Sequence, residues 1–286
     1  MIVTVLLTAL GVLAVAFTGV LIQTAWRRSE LRPTLESIGL GAVTNFFDTL
    51  GIGSFATTTA WIKLRKLVPD SFIPATLNVG HALPTVAQAY IFIKLVDVDP
   101  ILLAACIAAA VAGAIVGAPI VVRLPVRVVQ GVVGIALLIA ASLYALSNMG
   151  MMPAGGDALA LAAVPFAVAV VGHFVMGALM TFGIGLYAPS LILLSLLGLN
   201  PIAAFPIMMG ACAFLMPVCG MRFIRAERIN LRVVIGLALG GIPLVLVAAF
   251  LVKSLSLVAL RWGVVVVVLY AAVLLLRSAM KPSPQQ

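Results

Sequence analysis

Residues 48–56 read DTLGIGSFA, and residues 181–188 read TFGIGLYA. Aligned from Thr49 and Thr181, the two phrases agree at five of eight positions. The same offset of 132 residues sets Pro69 on Pro201 and Pro74 on Pro206, so the agreement extends beyond the phrase. One copy carries an acid, Asp48, where the other has Met180, in a chain with only 8 acidic residues among 286. A glycine-rich phrase repeated in this way marks a duplicated unit, and its surroundings decide what the unit is.

Those surroundings are apolar. Hydrophobic residues make up 64 % of the chain and charged residues 9 %, with a mean hydropathy of +1.29. A soluble domain carries about 25 % charged residues, so there is too little polar surface here to cover a soluble globule. Apolar runs of about 20 residues mark membrane spans. They fall at 2–25, 70–94, 99–122, 126–148, 200–221, 232–252 and 257–277. The chain therefore reads as an all-α polytopic membrane protein.

The net charge of +9 does not point to nucleic acid. Lys and Arg cluster between the runs or after the last one: Arg27, Arg28 and Arg32; Lys63, Arg65 and Lys66; Arg123 and Arg127; Arg222, Arg225, Arg228 and Arg232; Arg277 and Lys281. This is the pattern of cytoplasmic loops. Cys106, Cys212 and Cys219 all lie in apolar runs, and an odd number of such thiols argues against a disulfide framework. The first run has no basic residues before it and two arginines after it, so it reads as a retained span with the N-terminus outside.

Two stretches, 35–62 and 158–198, are interrupted by glycine and polar residues. If 35–62 crossed once, the basic loops on either side of it would lie on opposite faces. As a re-entrant or broken-helix hairpin it leaves both inside. Treating 158–198 in the same way places 14 of the 17 Lys and Arg residues inside, against the rival of ten simple crossings. Each copy then holds three spans and one hairpin, and an odd number of crossings inverts the second copy. The expected organisation is a first inverted repeat over 1–124 (hairpin 35–62) and a second over 125–254 (hairpin 158–198). An extra helix and a short cytoplasmic tail follow over 255–286. Inverted repeats with interrupted helices at matched places are the architecture of secondary transporters, and the interruptions mark the site.

Broken backbone at membrane depth survives only inside protein or beside a polar cavity. A half-helix that starts after Gly-Ile-Gly aims its N-terminal N–H groups, with about half a positive charge, at the centre. Two facing ends make an anion site that needs no arginine. Close packing of small residues is the rival explanation for Gly51, Gly53, Gly183 and Gly185; their repetition at matched positions favours the site. Asp48 reads equally as a cap of the second half-helix and as an ion- or proton-coupling residue. His81, three residues after Asn78, is either a packing histidine or a titratable partner for anion or proton. His173 lacks polar neighbours at helical spacing and reads as structural or as a lining residue. Thr57, Thr58 and Thr59 can bond their own helix, leaving one or two to face a cavity.

The repeated phrase, followed in the second copy by APSLILLSLLGLNPIAAFP, resembles the TauE/SafE family of sulfite exporters and organosulfonate permeases. The likeness covers residues 35–275 and is carried by Gly183, Gly185, Pro189, Leu191, Gly198 and Pro201, with Gly51, Gly53 and Pro69 in the first copy. It implies transport of sulfite, sulfoacetate, a related sulfonate or another small organic anion. The expected substrate shell is Asn45, Thr49, Gly51, Gly53, Ser54, Thr57, Asn78, His81, Thr181, Gly183, Gly185, Tyr187 and Ser190. Asp48 or His81 would carry a coupling proton or sodium ion. No cofactor, metal or nucleic-acid partner is expected, and the location is the bilayer of a bacterial inner membrane, with the C-terminus cytoplasmic. Rival readings are a channel or uptake carrier for thiosulfate or a carboxylate, thiol chemistry at Cys212 and Cys219, and a serine hydrolase using Ser54 and His81.

Overall fold

The computed structural model describes residues 1–51, 53–117, 156–227 and 229–254, with single positions between 131 and 149 and between 262 and 280. The expected span 126–148, the repeat boundary near 124 and the extra helix over 255–286 therefore lie largely outside the described residues.

The described elements are helical. Helix α1 (Ile2–Arg27) is followed by α2 (Leu35–Thr49) and α3 (Ser54–Arg65), the two arms of the first interrupted stretch. Helices α4 (Ile73–Gly80) and α5 (Ala82–Leu95) come next, then α6 (Pro100–Ala112), which runs into a π-helical turn at Gly113–Gly117. The second interrupted stretch is α7 (Ala163–Met180) and α8 (Tyr187–Leu196), and α9 (Pro201–Arg225) and α10 (Leu231–Ser254) complete the bundle. Helices α1, α7, α9 and α10 are long and apolar enough to cross a membrane. The chain is an all-α membrane protein.

Side-chain caps set several boundaries. Thr34 accepts from the Ser37 N–H to start α2, Asp99 from Ile101 and Leu102 to start α6, and Asn200 from Ile202 to start α9. Pro100 and Pro201 follow two of these caps in the first helical turn, where the N–H that proline lacks has no helical partner in any case.

Loop contacts gather at two ends. At one end, Arg65 and the Trp61 indole both donate to the Glu36 carboxylate, at 2.9 and 3.1 Å. Glu36 opens α2 and Arg65 closes α3, so this pair folds back on itself. At the same end Arg28 pairs with Glu30, and Glu30 accepts the Leu231 N–H at the start of α10. At the other end the Asp99 N–H donates to Leu159 O and the Asn200 N–H to Ala158 O, joining three loops. The 25-residue α9 separates the two ends by about 37 Å. The 15-residue α2 rises about 22 Å from the first end, and the 10-residue α8 reaches about 15 Å in from the second. These lengths bring the two breaks to the same depth.

The two halves interleave. α2 packs mainly on α10, α5 on α9, and α6 on α7. Glycines set these distances. A Cβ at Gly41 would lie 2.3 Å from Leu237 O, one at Gly240 1.9 Å from Ile38 O, and one at Gly177 2.0 Å from Ala110 O. Small residues allow such approach between membrane helices, where the gain comes from packing rather than from expelling water. We predict that Gly240→Val separates α2 from α10 and costs about 3 kcal/mol in chemical denaturation in detergent. Gly39→Ala, which meets nothing within 4 Å, is expected to be nearly neutral and serves as the control.

Candidate functional site

The first break is a tight reversal. α2 ends at Thr49, and Gly51 and Gly53 take φ of +91° and +83°, a region closed to most L-residues. Asp48 closes the turn: its Oδ1 accepts the Ser54 N–H at 2.5 Å, at the first residue of α3. Gly53, not Asp48, holds the N-cap position, but the Asp48 carboxylate caps α3 from six residues back and lies where the half-helix dipole favours negative charge. Its other oxygen, Oδ2, accepts from Gln88 Nε2 at 3.0 Å, and the same nitrogen donates to Thr49 Oγ1 at 2.9 Å. Gln88 Oε1 accepts the Tyr187 hydroxyl. Asp48, Thr49, Gln88 and Tyr187 are all buried.

The second break is built differently. Gly183 matches Gly51, with φ +86°, but Gly185 does not take the positive φ of Gly53. No side chain caps α8, because Met180 stands where the first copy has Asp48. Met180 instead offers its carbonyl to Asn78 Nδ2 at 3.2 Å and its sulfur to the Cys212 thiol at 3.5 Å.

The two breaks meet reciprocally. A Cβ on Gly53 would lie 3.9 Å from Tyr187 Cβ, and one on Gly185 would lie 3.5 Å from Phe55 Cβ. Phe55 and Tyr187 occupy the same place in the two phrases, as do Gly53 and Gly185. Each tip thus sets its glycine against the other tip's aromatic residue.

A second matched feature lies one turn further along each returning arm. Thr58 and Ser190 are counterparts at the 132-residue offset, and each hydroxyl bonds a buried imidazole. The Thr58 pair is His81 Nε2 at 3.0 Å; the Ser190 pair is His173 Nε2 at 2.9 Å. His81 sits at the junction of α4 and α5, and its Nδ1 faces Asn45 Oδ1 at 3.0 Å. Asn45 Nδ2 donates to Gly41 O, which fixes the amide orientation. His173 Nδ1 faces Ala169 O at 2.8 Å. Carbonyl oxygens only accept, so in both neutral imidazoles Nδ1 carries the proton and Nε2 accepts from the hydroxyl.

Of the residues expected in the site, Asn45, Asp48, Thr49, Ser54, His81 and Tyr187 are tied into these chains, as Ser190 is into its own. Asn78 does not pair with His81; its amide turns to Pro74 O and Met180 O, and its Oδ1 has no hydrogen-bond partner. Thr57 and Thr181 spend their hydroxyls on their own turns, bonding Ser54 O and Ala178 O. The imidazole of His81 is engaged by Thr58, so Ser54 and His81 do not form a nucleophile–base pair. Cys106, Cys212 and Cys219 are free and buried. Gln88 went unnoticed in the sequence, although an amide inside the otherwise apolar stretch 86–93 was its visible mark. The partner of His173 was also missed, since Ser190 lies 17 residues away across the break.

These features define an all-α membrane protein organised around two broken helices whose ends meet in its interior. Comparison with protein-family models, curated proteins and solved structures finds no match to the chain. We predict that Asp48→Ala, which uncaps α3 and strips Gln88 of an acceptor, costs about 2–3 kcal/mol in chemical denaturation in detergent. Asp48→Asn keeps an acceptor for Ser54 and is expected to cost less; equal losses would mean that the cap contributes little.

Proposed function

We propose that the protein is a secondary transporter of small sulfur-containing anions such as sulfite, sulfoacetate or another organosulfonate, acting chiefly in export. The observation that carries this reading is the reciprocal packing of the two tips, Gly53 on Tyr187 and Gly185 on Phe55. Two like-built elements entering from opposite ends and meeting in this way are what two inverted repeats with interrupted helices would form. In this reading the basic end is cytoplasmic, in keeping with the positive-inside rule, and the N-terminus is outside. The setting is a bacterial inner membrane, and the resemblance to the TauE/SafE family supplies the substrate class.

The tips divide the work. In the closed arrangement Asp48 already fills the N-terminus of α3, so the substrate first meets the uncapped start of α8 near Gly183, Gly185 and Tyr187. Asn78 Oδ1 is available to accept from a protonated oxyanion. Alternating access comes from one repeat rocking against the other about the glycine contacts, and Asp48 is the residue placed to carry a coupling proton. The matched pairs of His81 with Thr58 and His173 with Ser190 hold each returning arm in position.

The test is thermal stabilisation of purified protein by a panel of sulfite, sulfoacetate, taurine, thiosulfate, sulfate and simple carboxylates, followed by flux in proteoliposomes. Stabilisation and flux with a sulfonate or sulfite are expected. Both should be lost in Gly185→Leu, which drives a side chain into Phe55, provided that the variant keeps its fold. A response only to thiosulfate or a carboxylate would reassign the substrate. Silence toward every anion would sink the anionic site.

A further inference from the structure

The two tips are joined through one side chain that belongs to neither. Gln88, on α5, donates from Nε2 to Asp48 Oδ2 and Thr49 Oγ1 in the first hairpin and accepts at Oε1 from the Tyr187 hydroxyl in the second. Each end of this amide has a chemically defined role. An ionised carboxylate only accepts, so it must face Nε2, and the opposite end, Oε1, then needs a donor. Tyr187 is that donor, and its counterpart Phe55 has no hydroxyl to offer. With Asp48 ionised the link therefore runs in one direction, Tyr187 donating to Gln88 and Gln88 to Asp48.

We propose that Gln88 is the switch between the two hairpins, with its amide orientation reporting the protonation state of Asp48 to Tyr187. When Asp48 takes a proton from water on Oδ2, that oxygen becomes a donor and meets the donor Nε2 face to face. The amide resolves the conflict by turning over. Oε1 then accepts from the carboxylic acid, and Nε2 donates to the Tyr187 oxygen, so the bond between Gln88 and Tyr187 reverses its direction. The Tyr187 hydroxyl proton, which Gln88 held, must then turn to another acceptor, and the side chain at the start of α8 resettles with it. If Oδ1 takes the proton instead, the Ser54 N–H loses its charged acceptor and the first tip loosens. Protonation on either oxygen therefore removes a charge-assisted bond at the first tip, and on Oδ2 it also reverses the bond to the second.

The surroundings leave this switch undisturbed by other charges. The titratable groups that face Asp48 are the Tyr187 phenol on α8 and the Cys212 thiol on α9, both ordinarily uncharged at neutral pH. From α3 and α5 it meets Ser54 and Gln88, and α10, which packs on α2, carries no charged residue between 233 and 252. Among the described residues no ion pair is made to Asp48. A neutral amide can reverse its polarity at little cost only where no fixed charge holds it, and this site has that property.

The inference builds on the transporter reading but is tested without transport. Spin labels are placed at Leu64→Cys on α3 and Leu196→Cys on α8, both exposed, while the three native thiols stay buried. The inter-label distance is measured by pulsed electron paramagnetic resonance in alkaline and in acidic buffer. The expected result is a shift between the two conditions that is absent in Asp48→Asn and in Gln88→Leu. Tyr187→Phe installs the residue that the first copy already carries, so it keeps the packing; it too should lose the shift. A wild-type distance that does not change with pH would overturn the proposal, and so would a full shift with unaltered midpoint in Tyr187→Phe. Loss of anion flux in the wild type, with the distance shift intact, would count against the transporter reading alone.

Discussion

The protein depends on how it pays for two interruptions of the backbone in its apolar interior. Each break leaves N–H groups that no helix satisfies, and in hydrocarbon each such group costs several kcal/mol. The first break is satisfied by a hydrogen bond from nearby in the chain: Asp48, six residues before Ser54, turns its carboxylate onto the start of α3. The carboxylate is itself held by the Gln88 amide, so the cap and its support form one buried unit. The second break has no such acid; beside it the Asn78 amide bonds the backbone of Met180. The same phrase thus yields one self-satisfied end and one open end.

Around this asymmetry several features of the two phrases are matched. The reciprocal glycine–aromatic contacts and the matched hydroxyl–imidazole pairs repeat at the 132-residue offset. The histidines do not. His81 comes from the element after the first hairpin and His173 from the entering arm of the second, so the same local need is met from two places in the chain. Elsewhere glycines set the spacing, with Gly41 and Gly240 against backbone and Gly236 against the Ser37 side chain seating α2 on α10, and Gly113 and Gly177 seating α6 and its π-helical turn on α7. Such seams hold helices at a fixed, close spacing.

Much of the fold was legible in advance for simple reasons. Apolar runs mark buried helices whatever they pack against, and the breaks at 50–53 and 181–186 lie at the repeated glycines. The fold-back of the first hairpin followed from charge, and the Glu36–Arg65 contact places its two ends together. The polar connections were harder to see. Gln88 and Asp48 are 40 residues apart and Tyr187 lies 99 residues from Gln88, so no spacing rule links them. Thr57 and Thr58 are neighbours in sequence, yet only Thr58 faces inward, because successive helical residues are turned by about 100°. Identity of residue type pointed to the region; the direction of each side chain required the packing.

The proposed transporter requires the first broken helix to enter and leave the membrane at one face. This requirement is tested most directly by labelling single cysteines with a membrane-impermeant thiol reagent in oriented vesicles, since the native thiols are buried. Arg32→Cys, before α2, and Lys66→Cys, after α3, are compared with Leu159→Cys in the loop that joins Asp99. The account predicts that positions 32 and 66 react from the same side and position 159 from the other. Reaction of 32 and 66 from opposite sides would mean that α2 and α3 cross the bilayer in succession, and the meeting of two hairpins would have to be abandoned.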